Sequence, residues 1–201
     1  MMHINKFILK IILISFLLNI GFQSWTTADE ITEFEIEGIS VGDSAIDHID
    51  EKLIQSNKVY MWENKKYASY SAKSQNNNEY SNYQIFFLDN DPKYIIQYIS
   101  GFNYIKNLDD CDKIKKNLVS EIKNLVPNTS FIDYGEVAHP GDKTGKSLAT
   151  KVSFKFKDNS EIMVTCTVFS KDYKKIWDVG DTLSVSAHSS IFTNYLLKEA
   201  Y

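Results

Sequence analysis

The chain has 201 residues, 22 basic against 26 acidic, and every basic residue is lysine. An acidic balance without arginine argues against nucleic acid and anionic membrane surfaces as partners, because both are recognised by basic clusters. It also removes the best bidentate reader of phosphate and carboxylate.

Residues 1–28 have the grammar of a signal peptide. Lys6 opens it, Phe7–Phe22 is a mainly apolar run, and Thr26 and Ala28 are small residues ahead of a cut before Asp29. A retained membrane anchor is the competing reading, although the run is short and carries Lys10. Removing this segment leaves 20 lysines against the same 26 acids. The remainder, 29–201, is the right size for one domain with its own core, with possible halves at 29–106 and 107–201.

Phe34–Glu37 reads as a short strand. Gly38 and Gly42 flank a tight connection, and Asp43 or Ser44 caps a helix through about Gln55 with Ala45, Ile46, Ile49 and Leu53 on one stripe. Val59–Trp62 and Tyr67–Tyr70 read as a hairpin turning at Asn64–Lys65. Lys73–Asn82 is polar and reads as a mobile loop. Tyr83–Leu88 and Tyr94–Tyr104 form the next strand pair, turning at Asp89–Pro92, with Gly101 marking a bulge. The aromatics Tyr83, Phe86, Phe87, Tyr94, Tyr98, Phe102 and Tyr104 fit strand propensity and a core, with a sugar-stacking face as the sharper reading.

Asp109–Val126 is the clearest helix, with Cys111, Ile114, Leu118, Ile122 and Leu125 stepping by three and four. Asp109, Asp110 and Asp112 suit the positive end of its dipole, so they need no metal to explain them. Pro127 stops it. Asn128–Ser147 reads as a long loop. In Leu148–Phe169, Val152, Phe154 and Phe156 alternate on one strand and Ile162, Val164, Cys166 and Val168 on the next, a half-buried hairpin. Parity demands an odd-length turn, read as three residues, which sets Cys166 opposite Val152. Lys171–Asp178 reads as irregular, Leu183–Ala187 as a strand and Ile191–Ala200 as a closing helix.

Cys111 and Cys166, the two cysteines of the chain, both fall on apolar faces. A disulfide between them is expected, in keeping with an oxidising compartment. In the chain-entropy model, closing a loop of that length stabilises by roughly 4 kcal/mol.

Two motifs invite a functional reading. Ile39–Asp47, ISVGDSAID, resembles the nucleophile block of the GDSL hydrolases, and Glu136-Val137-Ala138-His139-Pro140 is similar to their closing Asp-x-x-His-Pro block. That resemblance implies Ser44 as nucleophile, His139 as base and Glu136 as its orienting acid. Against it, no Gly-x-Asn-Asp block stands between them, and the family needs a parallel α/β sheet where this chain reads antiparallel. The plainer reading is a glycine turn and a helix cap. Gly141–Ser147, GDKTGKS, resembles a phosphate-binding loop but is one residue short and precedes a strand. His48, His139 and His188 show no zinc spacing.

FEIEGISVGDS at 34–44, HPGDKTGKS at 139–147, VSFKFKD at 152–158, VTC at 164–166 and KEAY at 198–201 together resemble a family of small exported proteins of AT-rich marine alphaproteobacteria of the Pelagibacter type. The resemblance implies a periplasmic setting and brings no activity with it. The opening strand–Gly–helix unit is also similar to the small outer-membrane assembly lipoproteins of the SmpA type.

The expectation is therefore an α+β fold, mostly antiparallel sheet with about three helices and one disulfide. The expected role is a non-enzymatic periplasmic or secreted protein that binds a protein partner or an envelope component. No catalytic, cofactor-binding or metal residue is assigned, no cofactor or nucleic acid is expected, and no span is expected in 29–201. The alternatives are a GDSL-like serine esterase and a small-molecule or sugar binder using the aromatic strands. Ser44 within reach of His139 would favour the esterase, a Tyr- and Phe-lined pocket the ligand binder, and a bare sheet edge the protein partner.

Overall fold

The computed structural model describes residues 29–74, 80–106 and 108–200; the expected signal peptide and residues 75–79 of the polar loop lie outside them. The strands are β1 (Glu35–Ile36), β2 (Ile39–Ser40), β3 (Tyr67–Lys73), β4 (Asn82–Leu88), β5 (Ile96–Tyr104), β6 (Ser130–Ala138), β7 (Leu148–Lys155), β8 (Glu161–Val168) and β9 (Thr182–His188). The helices are α1 (Glu51–Asn57), α2 (Leu108–Leu125), α3 (Lys171–Trp177) and α4 (Ser190–Lys198).

β1 and β2 form a small hairpin; the other seven strands form one antiparallel sheet in the order β3-β4-β5-β9-β8-β7-β6. β9 sits between β5 and β8, so the sheet is built from both halves of the chain. Among the described residues no helix is long and apolar enough to cross a membrane.

One face of the sheet carries Ile85, Phe87, Ile99, Val152, Phe154, Ile162, Val164, Leu183, Val185 and Ala187, all buried. α2 packs on this face, chiefly against β8 and next against β9. Its buried side is Cys111 and Ile122 with the half-buried Leu118, continued by Val126 just past its end, while Ile114 and Leu125 face outward. Cys111 is bonded to Cys166 with Cα atoms 6.1 Å apart. The remaining core on this side comes from the N-terminal elements: Ile36, Ile39, Val41, Ala45, Ile49 and Ile54 join the same apolar cluster. Glu37 and Gly38 both take positive φ in the β1–β2 turn, the geometry that matches the twist of a two-residue hairpin.

Several sequence readings are corrected. The expected helix over Ser44–Gln55 is two pieces, a 3-10 turn at Ala45–Asp47 and then α1, whose cap is Asp50 accepting from Lys52 N at 2.8 Å. Ile46 and Leu53 of the expected stripe are exposed; Ile49 and Ile54 are buried. Val59–Trp62 is not a strand: it meets β3 by one bridge, Val59 to Ser69, before a turn at Trp62–Lys65. The bulge lies at Phe86/Phe87, not at Gly101. Gly101 instead lies under the Tyr80 ring, where a Cβ would come within 2.5 Å of a ring carbon.

The loop expected over Asn128–Ser147 contains β6, the edge strand. Its residues are mostly exposed and it bulges between Asp133 and Gly135, so it shows no alternation. Lys171–Trp177 is helical rather than irregular, which makes four α-helices among the described residues, not three. Ser170 caps it by accepting from Tyr173 N at 3.2 Å, and Lys174 and Lys175 occupy its last turn, favourable at that end of the dipole. The β7–β8 turn has the expected three residues, but they are Lys157, Asp158 and Asn159, closed by Phe156 N donating to Ser160 O at 2.9 Å. Asn159 takes φ of 70°, and Asp158 accepts from the Ser160 amide and hydroxyl. The register is thus two residues away from that expected, and Cys166 stands opposite Thr150, not Val152. A shift of two preserves the face, which is why the disulfide still forms.

Candidate functional site: an aromatic cleft on the second sheet face

The alternation that puts the core on one face puts a second set of side chains on the other. Read across the strands in register, one row is Phe86, Tyr98, His188 and Glu161. The next is Gln84, Ser100, Ser186 and Met163, and the third is Phe102, Ser184, Thr165 and Lys151. Serines and threonines in such positions would ordinarily meet open solvent. Here α3 and α4 stand at the two ends of this face and turn it into a cleft of about 480 Å³, within the range of small-molecule sites.

One wall is the aromatic cluster under α4. Phe192 packs against Tyr67 (centroids 5.0 Å apart), Phe86 (5.4 Å) and Tyr98 (5.3 Å), and Trp62 joins it against Tyr195 at 5.2 Å. Ser189 caps α4 by accepting from Phe192 N at 3.0 Å, and its own amide donates to Gln97 O, tying the helix to β5.

The opposite wall is built by α3 and the loop after β6. Phe169 and Tyr173 stack with centroids 5.1 Å apart and planes within 7°. The His139 ring meets both edge-on, at 5.1 Å and 5.5 Å. Trp177 continues the strip one turn further and is exposed. Asp142 holds this wall together. It is buried and accepts from the amides and hydroxyls of Thr144 and Ser147 and from the Ser170 hydroxyl, joining the 139–147 loop to the cap of α3. Those hydrogen bonds, led by Ser147 and Thr144, hold its carboxyl far below the usual carboxylate range. The GDKTGKS segment is thus wrapped around its own aspartate.

His188 is 3% exposed. Ser186 Oγ lies 2.9 Å from its Nε2, while its Nδ1 has no hydrogen-bond partner among the described residues. Burial pushes the imidazole down to about 3, and the Lys151 charge acts in the same sense. A serine–imidazole contact resembles a nucleophile and base, but an imidazole this weakly basic, with no carboxylate on its Nδ1, is a poor proton acceptor near neutrality. His139 is lowered as well, first by burial and last by Lys151, with Asp142 opposing; its Nδ1 is likewise buried without a partner. Both rings are neutral at physiological pH.

The residues of the GDSL-like reading are not brought together. Ser44 pairs with Ile95 beside the start of β5, and its hydroxyl donates to Lys93 O at 2.7 Å. Asp43 accepts from Ser40 N and sits 3.2 Å from His48. His139 follows the end of β6, four strands away in the sheet order and at the opposite end of the strands. Four strand spacings alone are about 19 Å. Glu136 is exposed on β6, opposite Thr150 and away from the cleft residues. The block at 39–47 serves as a turn, as the plainer reading has it, but the expected helix cap is not made: Asp43 turns back to Ser40 N, Ser44 to Lys93 O, and Asp50 caps α1 instead.

The sheet edges are blunted rather than bare. β6 carries a bulge and the charged Asp133 and Glu136, and Val59 bridges to β3 at the other edge. Compared with protein-family models, curated proteins and solved structures, the chain matches none of them.

Proposed function

We propose that this is a non-enzymatic binding protein that works outside the cytosol and holds a small, largely apolar molecule, such as an envelope component, in the cleft between α3 and α4. The observation that carries this reading is the lining itself: Phe86, Tyr98, Phe102, Phe169, Tyr173 and Phe192 surround a floor of hydroxyls. Aromatic walls with a few convergent polar groups are how small-molecule sites are built. The disulfide supports the oxidising compartment, since such bonds persist outside the cytosol.

The test is a titration of the full chain with Nile red, a neutral dye that brightens in apolar surroundings. Ser184 stands in the middle of the floor, and Ser184→Trp should fill the cleft and weaken dye binding at least tenfold while leaving the far-ultraviolet spectrum and the disulfide intact. Gln84→Trp gives the same test from the β4 side of the floor. Equal dye binding by all three proteins would refute the reading.

A second reading, docking of a protein partner, is favoured by one observation. Ile176 and Trp177, adjacent on α3, are both more than 60% exposed, as is Leu197 on α4, and exposed apolar patches mark interaction surfaces. Under that reading Ile176→Ser with Leu197→Ser weakens partner capture and spares the dye.

A further inference from the structure

The cleft has an electrical asymmetry. Among the described residues that line it, Lys151 alone is fully charged, and none is aspartate or glutamate. This holds in a chain whose acids outnumber its bases. The two histidines of the lining cannot supply a further charge, being neutral. Among the described residues Lys151 has no carboxylate partner within ion-pair distance; its Nζ lies 5.5 Å from the Tyr134 ring centroid. It lines the same cleft as His139 and His188, opposite Thr165, and its charge lowers both rings. Directly across the strands stand Thr165 and then Ser184, two hydroxyls able to donate beside an ammonium.

We propose that the ligand of the cleft is an amphiphilic organic acid, a single carboxylate on an apolar body, with its anionic head held by Lys151 and the hydroxyls of Thr165 and Ser184. This rests on the cleft being a ligand site. A cationic ligand meets the Lys151 charge with no carboxylate among the lining residues, since the nearby Glu161 is buried and turned to the Ser153 hydroxyl. A phosphate dianion meets one ammonium and no arginine. A sugar offers many hydroxyl donors but finds one side-chain amide, Gln84, and no carboxylate among the lining residues. A monoanion with an apolar tail satisfies the lysine and covers the aromatic walls together.

The experiment is displacement of Nile red from the full chain by three probes of equal chain length: dodecanoate, dodecanol and dodecyltrimethylammonium, each below its micelle concentration. The expected order is acid, then alcohol, then cation, with the acid at least tenfold tighter than the alcohol, the range of one charge-assisted contact. Lys151→Gln should erase most of that preference, and Lys151→Arg, which keeps the charge, should retain it. Equal binding of acid and alcohol would overturn this inference and leave the cleft reading standing. A preference for acid that survives Lys151→Gln would overturn the role of Lys151. Displacement by none of the three, with Ser184→Trp binding dye as the parent does, would overturn the cleft reading itself.

Discussion

Cys111, on the first full turn of α2, is bonded to Cys166, the sixth residue of β8. The bond clamps the long helix onto one face of the sheet and leaves the other face to the cleft. It spans 55 residues of chain and lies in the core, with both cysteines at most 1% exposed.

Replacing both cysteines by serine should therefore destabilise the fold by about 4 kcal/mol in the chain-entropy treatment. Guanidinium unfolding measures this, as a lowered midpoint with a slope no shallower than the parent's, because the unlinked unfolded chain is more expanded. Dye binding should persist in the variant below its transition, because the cleft lies on the opposite face.

His188 makes stability depend on pH in a defined window. Its imidazole is free to protonate near 6.5 when unfolded but only at about 3 when folded. Between these values the unfolded state binds the extra proton, so stability falls as pH falls, by up to about 1.4 kcal/mol per pH unit. His139 adds to the same trend, its folded value being lowered too. His188→Phe should flatten most of the slope between pH 6 and 4, read from urea midpoints across the range.

Asp142 works in a lower window. Its carboxyl is depressed in the folded state, so its contribution is fully present above the unfolded value near 4 and is lost as pH drops below it. Asp142→Ala removes the acceptor for five donors. Amide exchange should quicken across His139–Ser147 and at the start of α3, with α2 unaffected.

Gly101 carries a steric prediction. With the Tyr80 ring over its Cα, Gly101→Ala must move that ring and should cost roughly 1–3 kcal/mol, the range of overpacking. Thermal unfolding measures it. Gly135, whose missing Cβ would meet open space, offers a contrast: substitution there strains only the backbone at its positive φ.

Much of the buried half was readable from residue pattern. The step of apolar residues through α2, the alternation in β7 and β8 and the placement of Cys111 and Cys166 on inward faces all led to the observed clamp. β6 was missed because an edge strand exposed along most of its length has no reason to alternate. α3 was missed because it buries nothing fully, although its signals are present: Ser170 as cap, and Phe169, Tyr173 and Trp177 at helical spacing. The cleft was half legible. The aromatics of β4 and β5 were noted as a potential binding face, but Ser184, Ser186 and Thr165 fall where alternation expects solvent. Only the placement of the two short helices, a tertiary fact, makes them a floor.

The most direct check on the cleft is a map of backbone amide shifts as dodecanoate is added to isotope-labelled protein. Saturable shifts are expected that centre on Tyr98, Lys151, Thr165, Ser184 and Tyr173, with little change along α2. Shifts confined to the α2 face or to the edge of β6, or none at all, would contradict it.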